Sequence, residues 1–192
     1  NYDLNYYAVK LTSFTGTLSL YADNTLTGGT SGLVADVIAV VATDGTDPDT
    51  LFVKYRNSGT DNVTVKFTDG ETVTSGQTAA STAVVSTCAT GSRATIDAGT
   101  YYINGFFVNV DTQSLTLDKY TNTPSYRVGL TIVENFITST DDTSILDNAT
   151  GSSNANATGA HRFKIDLTLT KLALDSTADS SFVELFRLKS GA

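Results

Sequence analysis

The sequence predicts an all-β protein, and three observations predict it. About a quarter of the 192 residues are Thr or Ser, and β-branched Thr favours a pleated strand over a helix. Apolar and polar residues alternate with a period of two along many short segments, whereas no segment has the convincing apolar spacing of a helix. We expect a small N-terminal SH3-like or OB-like β-barrel, then a mostly antiparallel β-sandwich-like domain with at most one short helix.

Composition and charge narrow the classes of partner. The chain has 12 Lys and Arg against 20 Asp and Glu, a formal net charge of −8, so phosphate backbones and anionic lipid surfaces repel it. The longest apolar run, near residues 37–42, is far shorter than the roughly 20 residues that a membrane span needs. We therefore expect protein partners, with no nucleic acid and no membrane. The chain starts at Asn1 and has no Met, so we expect a segment of a longer polypeptide or a processed one.

Composition shifts along the chain predict four segments. Residues 1–25 read as an N-terminal arm or linker strand, and residues 26–75 as the small barrel-like module. Residues 76–95 are rich in Ala, Ser and Thr, which indicates a connection. Residues 96–192 form the sandwich-like domain.

In the first module, apolar runs between turn signals predict the strands. The strands Leu33 to Ala42 and Leu51 to Tyr55 flank the turn Asp47-Pro-Asp49 and should pair. After a further turn, Val63 to Phe67 alternates as a strand, and Asp69-Gly70 leads into another short strand.

In the second domain, the strongest local signal is Asn104-Gly105, the dipeptide that most readily forms a two-residue type I′ hairpin turn. The segments on either side of it, Tyr101 to Ile103 and Phe106 to Val110, are the predicted strands. Leu115 and Leu117 continue the alternation, and Pro124 breaks it before a strand from Arg127 to Ile137.

Three further elements complete the second domain. Ser139-Thr-Asp-Asp142 can cap a short helical turn over Ser144 to Leu146. From Arg162 to Thr170, apolar and polar residues alternate over nine positions. This pattern predicts a central strand whose residues Phe163, Ile165, Leu167 and Leu169 face the core. Phe182 to Leu188 is the last predicted strand.

Four motifs in the second half resemble an uncharacterised domain of large virion structural proteins of tailed phages, frequent in contractile-tailed phages of cyanobacteria and other marine bacteria. The motifs are Leu115-Thr-Leu-Asp-Lys-Tyr120, Pro124-Ser-Tyr-Arg-Val-Gly-Leu130, Leu146-Asp-Asn-Ala-Thr-Gly151 with Asn154, and Gly159-Ala-His-Arg-Phe-Lys-Ile-Asp-Leu-Thr-Leu169. The loop Ala155-Asn-Ala-Thr-Gly-Ala160 departs from the family pattern, which should make it more flexible.

Earlier motifs resemble the small β-modules that precede that domain in the same proteins. They are Thr30-Ser-Gly32, Asp47-Pro-Asp-Thr-Leu-Phe-Val-Lys-Tyr55 and Phe67-Thr-Asp-Gly-Glu71. The resemblance implies a virion component at the tail or baseplate, and it carries over no catalytic residue.

The candidate catalytic residues have simpler structural explanations. Glu134, Asp141, Asp142 and Asp147 could supply the two carboxylates of a glycosidase, but a helix-capping run explains the adjacent aspartates. His161 could act as a general base, but the chain has no second His and no nucleophile motif. We expect no catalytic residue and no enzyme activity.

Metal and thiol chemistry have equally weak signals. Ca²⁺ could bind the carboxylate oxygens of Asp44, Asp47 and Asp49. The turn nevertheless lacks the ligand spacing and the distal bidentate Glu of an EF-hand loop. Cys88 is the only cysteine, and a small half-buried side chain is its expected role. We expect no cofactor and no metal, and the sequence alone leaves a cation at the three aspartates open.

Adjacent aromatic residues occur three times, as Tyr6-Tyr7, Tyr101-Tyr102 and Phe106-Phe107. Neighbours on a strand point to opposite faces, so one residue of each pair should be in the core. The other is either exposed for subunit contacts, where aromatic side chains contribute much of the binding energy, or part of a two-sided core. Both readings stay open.

We therefore expect a non-enzymatic structural component of a phage virion, located in the particle, in its tail or baseplate. It would pack against other virion proteins and copies of itself. Contact with the host surface stays open, although nothing in the sequence supports it. One alternative is a bacterial cell-surface or S-layer-type β-domain, in which a Lys–Asn isopeptide bond would remove one ammonia from the mass. Another is a carbohydrate-binding tail module or a sugar-cleaving tail enzyme, against which the absence of Trp counts.

Overall fold

The computed structural model describes residues 1–77 and 81–192, without the side chain of residue 5. The described part is all-β, as predicted, with no helix of seven residues or more. Its two short 3-10 helices are Leu18–Tyr21 and Thr143–Ile145. No helix among these residues is long and apolar enough to cross a membrane. The strands are β1 (Tyr2–Phe14), β2 (Thr25–Gly28), β3 (Val34–Val41), β4 (Thr50–Tyr55), β5 (Thr72–Ser75), β6 (Thr82–Ile96), β7 (Gly99–Ile103), β8 (Phe106–Val110), β9 (Gln113–Asp118), β10 (Tyr126–Ile137), β11 (Arg162–Ala173) and β12 (Phe182–Leu188).

The chain divides into two compact units. The barrel unit comprises residues 1–95, 115–125 and 188–192, and the sheet unit comprises residues 96–114 and 126–187. In the barrel unit, six antiparallel strands follow the order β1-β4-β3-β2-β5-β6, and pairing of β1 with β6 closes the barrel. The predicted small barrel is therefore confirmed, and the predicted pairing of β3 with β4 is also observed.

Two segments expected to lie outside the barrel are barrel strands. Within residues 1–25, expected to be an arm, β1 pairs with both β4 and β6. Within residues 76–95, expected to be a connection, β6 forms the closing wall. The low hydrophobicity of β6 led to the wrong prediction of a connection, because the interior of a small barrel has room only for small side chains. Ala83 and Val85 are the inward side chains of β6, and both are 1% exposed.

The first strand buries side chains on both of its faces. Val9 and Leu11 belong to the cluster inside the barrel, whereas Tyr6 and Ala8 belong to a second cluster on the opposite face. The Tyr6 ring stacks on Phe52 with centroids 4.9 Å apart. Burial raises the pKa of Tyr6 to about 12. β1 is therefore buried on both faces, and its side chains contribute to two hydrophobic clusters.

The predicted strand from Val63 to Phe67 is wrong. This segment is irregular, and Val63 and Val65 are exposed. The Asp61 carboxylate accepts hydrogen bonds from the backbone N–H groups of Val63 and Thr64, at 3.0 and 2.9 Å. Local side-chain bonds of this kind compete with strand pairing, so the alternation of apolar residues does not produce a strand here.

A buried carboxylate joins this loop to the turn Gly28-Gly-Thr-Ser-Gly32. Glu71 is 4% exposed and its oxygens accept four hydrogen bonds. The backbone N–H groups of Thr30, Ser31 and Thr68 donate three of them, at 3.1, 3.0 and 2.7 Å. The Ser31 hydroxyl donates the fourth, at 3.0 Å. One side chain therefore holds together two turns that are about forty residues apart in the chain.

The sheet unit contains the three-stranded sheet β11-β10-β12 and the two-stranded hairpin β7-β8. The predicted core face of β11 is confirmed at Leu167 and Leu169, which are buried, but Phe163 is 43% exposed. The prediction that β11 is central is wrong, because β10 is the middle strand and β11 lies at an edge. Alternation specifies which face of a strand is buried, and it carries no information about the strand's neighbours.

An ionic network joins the central strand β10 to the chain around β12. The Arg127 guanidinium is nearly buried and binds Glu184, the Asp179 carboxylate and the carbonyl oxygen of Ser176. Arg187 also donates to Glu184, at 3.0 and 3.1 Å. Hydrogen bonds from Arg187 and then Arg127 lower the pKa of Glu184 from 4.5 to about 2.

This depressed pKa predicts a pH dependence of stability. A carboxylate with a lowered folded-state pKa contributes stability above its unfolded value, and this contribution is lost as the pH falls through the folded-state value. We expect wild type to have a higher Tm than Glu184→Gln at neutral pH, and the difference to vanish between pH 4.5 and about 2. Thermal unfolding followed by circular dichroism measures it. A Tm difference that stays constant over this range would contradict the prediction.

Candidate interaction surface

The β7-β8 hairpin has the predicted two-residue turn. Ile103 pairs with Phe106, and between them Asn104 and Gly105 have φ values of 49° and 91°. Both angles are positive, as a type I′ turn requires. The Asn104 side-chain amide donates to the Glu134 carboxylate at 2.7 Å, so the tip of the hairpin is tied to β10.

Three phenylalanine rings from different strands form an exposed cluster on the sheet unit, which we call the aromatic surface. Phe163 of β11 lies between Phe106 of β8 and Phe136 of β10, with ring centroids 5.4 and 5.6 Å away. Their exposed fractions are 43%, 51% and 64%. Contiguous exposed apolar area of this kind marks an interaction site more often than isolated apolar residues do.

The structure assigns different roles to the adjacent aromatic pairs. Tyr6 and Tyr7 are part of a two-sided core, because Tyr6 stacks on Phe52 and Tyr7 packs against Tyr55. Phe106 and Phe107 are instead both exposed, although one of them was expected in the core. A two-stranded hairpin has few neighbours to bury its faces, which explains why the expectation fails there.

Two members of the aromatic surface were missed in the sequence. Phe163 is in phase with the buried Leu167 and Leu169, so its alternation predicts burial. Phe136 lies near the end of β10 and pairs with Phe163 in register. No local signal distinguishes these two rings from core residues. Their exposure depends on which part of the sheet is covered by other segments of the chain.

A groove runs beside the aromatic surface, between the hairpin and β11. It is lined by residues 106–109 of β8 and 163–165 of β11, and its volume is about 400 Å³. The walls are mainly apolar and aromatic, with Lys164 and Asn109 as the polar side chains. The Lys164 ammonium lies 3.0 Å from the Asp166 carboxylate, so its charge is partly balanced within the strand.

The paired aspartates considered for catalysis are turn and cap residues. Asp141 accepts hydrogen bonds from the backbone N–H and the hydroxyl of Thr138, at 3.0 and 2.7 Å, and these bonds lower its pKa. Asp142 accepts from the N–H of Ser144 at 2.9 Å, which begins the 3-10 helix and lowers the pKa of Asp142. A general acid needs a raised pKa, so neither carboxyl is suited to that role.

The other catalytic candidates have local interactions of their own. Glu134 accepts the hydrogen bond from Asn104, and Asp147 accepts one from the N–H of Ala149 at 2.9 Å. His161 is exposed. Glu134 and Asp147 are therefore hydrogen-bond acceptors in local contacts, and the His161 side chain is exposed to solvent.

Two of the three aspartates considered for calcium already bind a cation of the chain itself. The Lys119 ammonium lies 2.9 Å from the Asp44 carboxylate and 2.7 Å from that of Asp47. The backbone N–H of Asp47 and the ammonium hold the pKa of Asp44 well below its usual range. Asp49 accepts from the N–H of Thr43. Within residues 1–77 and 81–192, no group of three His, Cys, Asp or Glu residues is placed to hold a metal ion.

Cys88 is half-buried, as expected, and lies against two aromatic residues. Its Sγ is 3.8 Å from the Tyr55 hydroxyl and donates to the carbonyl oxygen of Phe67 at 3.5 Å. Burial raises the pKa of the thiol to about 11. Because the thiolate is the reactive form, this thiol is a packing group at neutral pH.

Comparison with known proteins gives one match. No curated protein and no solved structure matches the chain. The family model described as Domain of unknown function (DUF4815) matches residues 50–192, from the first residue of β4 to the last residue of the chain. Because the match covers most of the sequence, the protein belongs to the DUF4815 family.

Proposed function

We propose that the chain is a non-enzymatic structural component of a phage virion, in the tail or baseplate, and that it works by packing against neighbouring subunits. The aromatic surface carries the proposal. It presents three exposed rings, of which Phe163 contacts the other two, and aromatic side chains are enriched among the residues that contribute most at protein interfaces.

The strands and the hairpin turn that carry these rings support a structural role. Phe106 follows a tight hairpin turn whose tip is bonded to Glu134, and Phe136 and Phe163 lie opposite each other in a continuous antiparallel ladder. Side chains held on paired strands lose little conformational freedom on binding, which favours a stable interface.

The sequence motifs support the location. The motifs between Leu115 and Leu169 that resemble tailed-phage virion proteins all fall within the family match, residues 50–192. The candidate catalytic carboxylates are occupied as turn, cap and hairpin groups, which favours a structural role over a sugar-cleaving one.

The first test locates the protein. Particles of a phage that encodes the chain are purified and examined by mass spectrometry and by immuno-electron microscopy with an antibody raised against it. We expect the protein in intact particles and the label at the tail or baseplate. Its recovery in the host cell envelope, with none in the particles, would overturn the proposal.

The second test examines the surface itself. Phe106→Ser with Phe163→Ser in the phage genome should remove the protein from assembled particles, while the purified variant unfolds at nearly the wild-type temperature. The matched control is Val63→Ser, which changes a 77% exposed apolar residue of the barrel unit and should leave incorporation unchanged. Normal incorporation of the double variant would contradict an interface at this surface.

A further inference from the structure

The β7-β8 hairpin has an open backbone edge, which belongs to β7. β7 pairs with β8 in a two-stranded sheet, and β8 lies beside β11, where the Phe106 and Phe163 rings are 5.4 Å apart. In β7, Thr100 and Tyr102 are exposed, and a Cβ at Gly99 would meet no atom within 4 Å. These observations leave the outer edge of β7 open to solvent.

The backbone groups on this edge belong to Thr100 and Tyr102. Ile103 and Phe106 flank the two-residue turn, so they form a hydrogen-bonded pair. In an antiparallel ladder, such pairs alternate with non-hydrogen-bonded pairs, which here include the pairs that Thr100 and Tyr102 make with β8. The N–H and C=O groups of these two residues therefore point away from β8. They offer two donors and two acceptors to a further strand.

The outer strands of the neighbouring sheet are protected against pairing with another chain. Charged side chains, Pro and bulges discourage edge-to-edge pairing. The outer strands β11 and β12 carry several charged residues, namely Arg162, Lys164, Asp166 and Lys171 in β11, and Glu184 and Arg187 in β12. On β11, the Gln113 side chain also bonds to the carbonyl oxygen of Leu167 and the N–H of Leu169, at 2.8 and 2.7 Å.

β7 has none of these protecting features. Residues 98–110 contain no charged residue and no Pro, and the pairing of β7 with β8 is continuous from Gly99 to Ile103. The residues of β7 after Gly99 are Thr, Tyr, Tyr and Ile, which are all enriched in strands. β7 is therefore the strand of the sheet unit best suited to pair with a strand of another chain.

The sequence of β7 is complementary to itself in antiparallel pairing. With Thr100 opposite Tyr102 of a second copy, the twofold axis passes between the two Tyr101 residues, and all four outward N–H groups meet outward carbonyl oxygens. This register makes two aromatic–β-branched pairs and one aromatic pair, which are favourable cross-strand pairs. A register shifted by two residues would involve either the turn or Ala98, whose N–H already bonds to the Thr112 hydroxyl at 3.2 Å.

We propose that β7 pairs with β7 of a second copy of this chain, which joins two hairpins into one antiparallel sheet in the order β8-β7-β7-β8. A two-stranded hairpin is marginally stable by itself, so it gains stability from added strands. Copies of a chain with a net charge of −8 repel each other, and an uncharged strand lets them approach where this repulsion is weakest. The inference rests on the proposed function only in naming a second copy as one of the neighbouring subunits, and β7 carries none of the three rings of the aromatic surface.

The first test measures association of the purified full chain by sedimentation equilibrium over a wide range of protein concentration. We expect a monomer–dimer equilibrium. Hydrogen exchange along the same series locates the contact, because the amides of Thr100 and Tyr102 should become protected as the dimer forms, while those of Phe107 and Asn109 on β8 stay unchanged. Monomers at every concentration, or dimers in which Thr100 and Tyr102 stay unprotected, would overturn the inference.

A pair of variants tests the backbone hydrogen bonds. Thr100→Pro removes one outward N–H from each copy, whereas Thr100→Val keeps the N–H and has nearly the same shape. Pro is compatible with an edge strand whose N–H faces away from the sheet. We expect the Kd of the dimer to rise about thirtyfold in the proline variant, because two hydrogen bonds are lost, and to stay within a few-fold of wild type in the valine variant. Equal Kd values for the two variants would contradict backbone pairing.

A charge exchange identifies the partner strand, and it does not depend on the folding of the proline variant. Thr100→Lys with Tyr102→Lys places Lys opposite Lys in the dimer, and Thr100→Glu with Tyr102→Glu places Glu opposite Glu. Like charges directly opposite are destabilising, so each double variant should be monomeric, and an equimolar mixture of the two should restore the dimer. Both positions are exposed, so each variant should unfold near the wild-type temperature. A mixture that stays monomeric would show that β7 does not pair with itself.

These measurements need only the isolated chain, whereas the proposed function is tested in particles. A dimer in solution with no protein in the particles would retain the pairing and remove the virion role. A monomeric chain that is found at the tail or baseplate would retain the role and remove the pairing.

Discussion

Replacing Glu71 by alanine is expected to destabilise the barrel unit strongly. The variant loses four hydrogen bonds to a buried carboxylate and leaves the backbone N–H of Ser31 buried without a partner. A bond to a charged group contributes about 1.5 to 3 kcal/mol, and an unsatisfied buried donor costs a similar amount. We therefore expect a loss on the order of 4 kcal/mol, a large part of the stability of a typical domain.

Urea unfolding measures this loss, and the chain offers a matched control two residues away. Asp69 is an exposed carboxylate on the same loop, so Asp69→Ala should change the free energy of unfolding by less than about 0.5 kcal/mol. Glu71→Gln keeps the shape but turns an amide N–H₂ toward two donors, and it should fall between the alanine variant and wild type. If Glu71→Ala and Asp69→Ala unfolded at the same urea concentration, the role assigned to Glu71 would be wrong.

Replacing Gly129 by alanine is expected to separate β12 from β10 in the sheet unit. A Cβ at this position would lie 2.1 Å from the carbonyl oxygen of Val183 and 2.6 Å from Cζ of Phe182. The nearest atom belongs to the backbone of a neighbouring strand, which cannot move without breaking the sheet. Overpacking in a core costs about 1 to 3 kcal/mol and occasionally more, and we expect the upper end of that range or beyond.

Hydrogen exchange resolved along the chain distinguishes this effect from global unfolding. In Gly129→Ala, the amides of β10 and β12 should exchange faster, while those of the barrel strands stay protected. Gly99→Ala is the control within the same unit, because a Cβ at Gly99 meets no atom within 4 Å. Wild-type exchange in Gly129→Ala would show that β12 does not pass close over this residue.

The interaction surface was only partly predictable from the sequence. Asn104-Gly105 predicted the hairpin and its turn, and so placed Phe106 at the start of β8. Phe163 was predicted to be a core residue and Phe136 had no signal, because the exposure of both depends on how far the covering chain extends over the sheet. Gln113 also had no signal, since its two bonds to β11 join residues more than fifty positions apart.

What the sequence determined by itself was local. The Thr content and the period-two alternation of apolar residues determined the all-β class. Asn104-Gly105, a dipeptide that readily adopts positive φ angles, determined the hairpin turn. The apolar residues at every second position of β11 determined that Leu167 and Leu169 are buried. Tertiary structure alone decided that β1 and β6 close the barrel and that β10 rather than β11 is central. The physical reason is that alternation and turn propensity act between neighbours in the chain, whereas strand order, barrel closure and the bonds of Glu71 and Gln113 are selected by backbone and side-chain groups that meet only after folding.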